Sequence, residues 1–193
     1  MRDTDYVASA ARTLTAVVRG IDPGVLDAAT PCSDYDVRGL LNHLLFWGPS
    51  LEGAGRKETV PPPAGSDTEL DLTGGDWAAD LAAQLSRTAK VWSEPAAWQG
   101  MTHMGGPTEM PAPLVGGMVA GELVVHGWDL AAATGQQPEW DAELIDYVYA
   151  EAAGSAELGR QMGVYGPEVA VAEGAPALHR LLGVTGRDPA WTP

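Results

Sequence analysis

From Trp77 to Trp92 the residues Trp77, Leu81, Leu85, Ala89 and Trp92 recur at steps of three and four. That spacing draws one apolar stripe down a single helical face, and such a stripe is stable only when another element covers it. Similar stripes recur along the chain. The stretch from about residue 4 to 19 carries Tyr6, Ala10, Thr13, Leu14, Val17 and Val18 and stops at Gly20. A second helix is expected with Asp36 as N-cap, running through Leu40, Leu41, Leu44 and Leu45 to a kink or early end at Gly48-Pro49. A fourth covers about 114–134 and is closed by Gly135, and a fifth covers about 141–158 with Leu144, Tyr147, Val148 and Glu151 in register. Strand signals are weak, so the expected fold class is all-α, a bundle of helices.

The connections read as follows. Residues 57–75, with Pro61-Pro62-Pro63 and Gly74-Gly75, form a solvent loop, and 94–113 is irregular. The tail pairs an extended run over 164–172 with a short helix over 177–182. The expected organisation is a helical bundle over 1–160 with a C-terminal tail, 161–193, packed on it.

With 11 Lys plus Arg against 26 Asp plus Glu, the net charge of −15 repels phosphate backbones and anionic lipid, so no nucleic-acid or membrane partner is expected. No apolar run is long enough to span a bilayer, and the start Met1-Arg2-Asp3-Thr4-Asp5 lacks a basic-then-apolar leader layout. One cysteine, Cys32, excludes an internal disulfide and zinc sites built from several thiolates. The expected location is cytoplasmic.

Glu122 and His126 lie four residues apart among Leu123, Val124 and Val125, hence on one face of an apolar helix. Burying a carboxylate and an imidazole there costs several kcal/mol without partners. Either the two residues pair with each other or a divalent cation supplies the partner. His43 sits in a second apolar run, Leu40-Leu41-Asn42-His43-Leu44-Leu45. Two histidines and a carboxylate form a common set for catalytic zinc, leaving a fourth position open, and they also suit non-haem iron or nickel. Asp129, three residues after His126, is the candidate catalytic residue, placed to orient a ligand or a bound water. A solvent-facing acid is the competing reading for that position.

The remaining candidates read more plainly. His103 is a solvated loop histidine, His179 a surface one, and Cys32 a packed thiol. Trp47, Trp77, Trp92 and Trp98 read as core, and Trp128 as core or pocket wall. Gly105-Gly106-Pro107 lacks the context of a phosphate loop, and no Gly-x-Ser-x-Gly elbow supports serine hydrolase chemistry.

Thr30-Pro31-Cys32 through Val37-Arg38-Gly39-Leu40-Leu41-Asn42-His43, together with Glu122-Leu123-Val124-Val125-His126-Gly127-Trp128-Asp129-Leu130-Ala131, resembles the two signatures of the DinB-like, mycothiol-dependent maleylpyruvate isomerase superfamily of actinobacteria. The ending, Tyr165-Gly166-Pro167 through Gly186-Arg187-Asp188-Pro189-Ala190-Trp191, resembles the tail of a metal-binding subfamily within it. The resemblance implies a DinB-like four-helix bundle with a short α/extended tail. It also implies a divalent metal on His43, Glu122 and His126, with zinc the leading ion. Two departures stand out: Ser33-Asp34-Tyr35-Asp36 replaces a Pro-Gly-Trp-Thr type of turn, and Gly39 replaces a capping-box acid, a loss of about 1 kcal/mol.

The function this implies is a metal-dependent transferase or isomerase that uses mycothiol as cosubstrate on a small electrophile, with a homodimer left open. In that scheme the cation ionises the thiol and the protein needs no nucleophile of its own. The competing readings are a metal-dependent small-molecule hydrolase and a non-catalytic, stress-associated metal-binding protein. An open coordination position facing a cleft would favour an enzyme.

Overall fold

Every long apolar stripe folds as a helix. The computed structural model describes residues 5–193, so Met1–Thr4, on which the leader argument partly rests, lie outside the described residues. The helices are α1 (Tyr6–Arg19), α2 (Val37–Gly55), α3 (Trp77–Trp92), α4 (Ala112–Ala133), α5 (Ala142–Gln161) and α6 (Ala177–Val184). Three of them start on an aspartate that satisfies otherwise unpaired amides. Asp36 accepts from the Gly39 amide at 2.7 Å, Asp76 from Ala79 at 3.2 Å, and Asp141 from Glu143 and Leu144 at 2.9 and 3.2 Å.

Helices α1 and α2 each pack against both α3 and α4, which closes a four-helix ring. Its centre is filled by Leu14, Leu40, Leu41, Leu81, Leu123 and Leu130, all essentially unexposed. The fold is an all-α, DinB-like bundle. Helix α5 lies on α4, and α6 lies on α5.

Two local expectations need correction. Helix α2 does not end at Gly48-Pro49 but continues to Gly55. Pro49 removes the donor for the Leu45 carbonyl, yet its ring is on the exposed side while Phe46, Gly48, Ser50 and Leu51 are buried, so packing carries the helix through. The irregular stretch contains an antiparallel hairpin, β1 (Met101–His103) with β2 (Glu109–Pro111), in the register Met101 to Pro111. The Thr102 hydroxyl donates to the Ala54 carbonyl at 2.5 Å and ties this hairpin to the end of α2. In the tail, the run 164–172 lies against α6, where the Val169 amide donates to the Gly183 carbonyl at 2.9 Å. Further on, Gly186 adopts φ +87°, and a Cβ there would stand 2.7 Å from the Gly166 backbone. Only glycine permits that crossing, which brings Arg187 back over α4.

Candidate functional site

Helix α2 delivers His43, and α4 delivers Glu122 and His126 one turn apart. One ligand atom from each of the three lies within 4.8 Å of the other two. The His43 Nε2 stands 2.9 Å from Glu122 Oε1, the His126 Nε2 stands 3.6 Å from the same oxygen, and the two rings meet edge to face at 5.2 Å.

Each imidazole is braced on its other nitrogen by a carboxylate. His43 Nδ1 lies 2.7 Å from Asp67 Oδ2, and His126 Nδ1 lies 3.0 Å from Asp129 Oδ2. A carboxylate at Nδ1 fixes ring orientation and keeps Nε2 available, the usual arrangement around metal-binding histidines. Both braces are themselves held. The Tyr35 hydroxyl donates to Asp67 Oδ2 at 2.8 Å, and the Asn42 side-chain amide donates to the Asp67 and Leu70 carbonyls at 2.6 and 2.9 Å. Arg187 Nη2 and Nε donate to the two oxygens of Asp129 at 3.0 and 3.3 Å.

Asp129 is fully buried, so the solvent-facing reading falls. It touches His126 and Arg187 and does not line the cavity. Asp67 was missed because it stands in a loop read as solvent. The polar Asn42 inside an apolar run was the available signal, since a buried amide must bind something.

The electrostatics follow the same network. Burial alone would push the Glu122 carboxyl up, but the charge of His126 and the His43 hydrogen bond hold it down at about 2. Burial alone would lower the His43 pKa, and the hydrogen bonds and charges of Glu122 and Asp67 reverse this and raise it. Burial pushes the Cys32 thiol up, so it stays protonated at neutral pH.

The triad opens into a cavity of about 630 Å³. Its walls come from the 31–35 turn, from α2, α4 and α5, and from the tail around Tyr165 and Arg187. Trp47, expected in the core, is half-buried and lines this cavity, as does Cys32, while Trp128 does not. Trp77, Trp92 and Trp98 are buried, and His179 is exposed. His103 belongs to β1 and does not itself line the cavity, although its neighbour Met104 does. Its Nδ1 is buried without a partner among the described residues, so the solvated-loop reading is replaced.

The fold and the site define a DinB-like helical bundle with a two-histidine, one-carboxylate donor set at the base of a cavity. Residues 7–131 match the mycothiol maleylpyruvate isomerase N-terminal domain, and the chain belongs to that family. Two uncharacterized proteins of Mycobacterium tuberculosis, one each from strains CDC 1551 / Oshkosh and ATCC 25618 / H37Rv, are each 28% identical over 130 residues. Those matches cover 67% of this chain and 65% of each relative. A crystal structure of the mycothiol-dependent maleylpyruvate isomerase superposes with a TM-score of 0.61 at 12% identity, covering 90% of this chain and 76% of that one. At that identity the likeness is one of fold. Among the described residues, no helix is long and apolar enough to cross a membrane.

Proposed function

We propose that the chain is a divalent-metal-binding, mycothiol-dependent S-transferase or isomerase acting on a small electrophile, with zinc the leading ion. The observation that carries the reading is the double bracing. Asp67 and Asp129 each hold one Nδ1, so that His43 Nε2, His126 Nε2 and Glu122 converge at the cavity base. Two imidazoles and a carboxylate match the donor set of an open zinc site. A purely structural metal would sit in a closed shell, and the adjoining cavity supports an enzyme instead.

A cation held there supplies Lewis acidity, bringing a thiol of ordinary pKa near 8.5 into the ionised range at neutral pH. The protein residues do the rest by positioning. Glu122 stays ionised as a ligand, Asp67 and Asp129 keep the rings oriented, and Arg187 neutralises Asp129. Burial raises the Cys32 pKa and favours its thiol form, and in this reading the reacting sulfur is the cosubstrate's. The family supports mycothiol as that thiol. The net charge of −15 accords with a nearly uncharged, sugar-linked thiol rather than a polyanionic one.

Metal analysis of the purified protein should give one divalent ion per chain, and His126→Ala should abolish it. Calorimetry in buffers of different ionisation enthalpy should then show release of about one proton when reduced mycothiol binds the metal-loaded protein. Unchanged metal content in His126→Ala would remove the ligand assignment. No binding of mycothiol to the loaded protein would leave the hydrolase reading in its place.

A further inference from the structure

The charge lining the cavity is lopsided. Its wall carries the carboxylates of Asp34, Glu122 and Glu151 and one guanidinium, that of Arg187. Arg187 is only 8% exposed, and three of its five N–H groups are spent inside the protein, Nε and Nη2 on Asp129 and Nη1 on the Thr185 carbonyl at 2.9 Å. No lysine lines the cavity. A carboxylate-bearing substrate would therefore meet, beyond the cluster base, only a guanidinium whose charge is already paired with Asp129, and two further acids beside it.

Glu151 marks the other side of the argument. It projects from α5 toward α4 at Gly117, where a Cβ would lie 3.0 Å from its Oε2, so the absent side chain makes room for the carboxylate. The surrounding wall is mostly apolar, with Leu114, Met118, Val148 and Ala152, and the Tyr147 hydroxyl would lie 3.1 Å from the same Gly117 Cβ. The half-buried Glu151 carboxylate has no hydrogen bond or ion pair among the described residues, and the Ser155 hydroxyl nearby donates to the Glu151 backbone carbonyl at 2.9 Å instead. A partly desolvated carboxylate left unpaired in such a wall favours a cation or an N–H donor as its partner.

We propose that the electrophile carries an ammonium or amide arm, not a carboxylate, and that Glu151 is the specificity-determining residue that receives this arm. This rests on the thiol-transfer reading for the chemistry, while the charge preference can be read without it. The test substrates are three N-substituted acrylamides of matched length whose arms end in a primary ammonium, an amide or a carboxylate. The mycothiol sulfur, having lost its proton to solvent, bonds to the β-carbon. The C=C π pair shifts to the α-carbon, which takes a proton from water, and a thioether results with atoms and charge balanced.

After subtraction of the uncatalysed rate, kcat/KM should fall from ammonium to amide to carboxylate by at least about tenfold per unit of charge, as expected for charges a few ångströms apart near a protein surface. In Glu151→Gln the ammonium-to-carboxylate ratio should shrink by about tenfold or more, and Glu151→Asp should largely retain it. Ratios taken within one variant cancel differences in the folded fraction. The saturated propionamide counterparts, titrated into metal-loaded protein and followed by calorimetry, should show the same order without turnover. A carboxylate arm that binds or reacts as well as the ammonium overturns the proposal, as does an unchanged ratio in Glu151→Gln. Failure of mycothiol to bind, with the propionamide order intact, retires the thiol reading and leaves the charge preference standing.

Discussion

Replacing Asp67 by Asn isolates the bracing that the site depends on. The amide keeps the size of the side chain, and the loop stays anchored because Asn42 bonds to the backbone carbonyls of residues 67 and 70. What disappears is the negative charge accepting from His43 Nδ1 at 2.7 Å and from the Tyr35 hydroxyl at 2.8 Å. A hydrogen bond to a charged group contributes about 1.5–3 kcal/mol against about 1 kcal/mol for a neutral one. Part of that difference falls on the orientation and basicity of His43, so a loss of about 1–2 kcal/mol in metal binding is expected. That corresponds to roughly 5- to 30-fold in affinity, overlapping the lower part of the roughly 10- to 100-fold range usual for partners of metal-ligating histidines. Competition with a chromophoric chelator at fixed pH measures it directly, and circular dichroism confirms that the helices persist. An affinity within twofold of the parent protein, in a background where His126→Ala abolishes binding, would refute the claim that the carboxylate brace supports the ligand.

Two further outcomes follow from the buried charges. Arg187→Met leaves Asp129, fully buried, without its cation, and thermal unfolding should show a loss of about 3–5 kcal/mol; a fall of less than 1 kcal/mol would mean that the pair is not coupled as drawn. Burial alone would raise the Glu52 carboxyl, but Gln84, Arg87 and Arg56 together hold it below its ordinary 4.5. Because the folded pKa is the lower one, this network stabilises the protein above about pH 4.5 and the contribution fades as pH falls from there through the folded value. Urea midpoints measured from neutral to acid pH should therefore drop less steeply in Glu52→Gln, and parallel curves would disprove the assignment.

The sequence by itself determined the helices and the identity of the three convergent side chains. Both are local properties. The stripe through Trp77, Leu81 and Leu85 and the aspartate at position 36 act within a few residues of chain, and the step of four from Glu122 to His126 is set by the pitch of one helix. Even there locality had limits. Pro49 reads as a stop, and only the burial of Phe46 and Leu51 on either side shows why α2 continues. The tertiary structure alone decided what surrounds the triad. Asp67 reaches His43 across 24 residues, and Arg187 reaches Asp129 across 58. No periodicity or spacing encodes such pairings, because they depend on how a proline-rich loop is pinned by Asn42 and how Gly186 crosses Gly166. The orientation of Glu151 has the same origin. In sequence it is one more position in register on α5, and only the docking of α5 on α4 at Gly117 turns it toward the cavity, because a helix surface acquires an inside only when another element covers part of it.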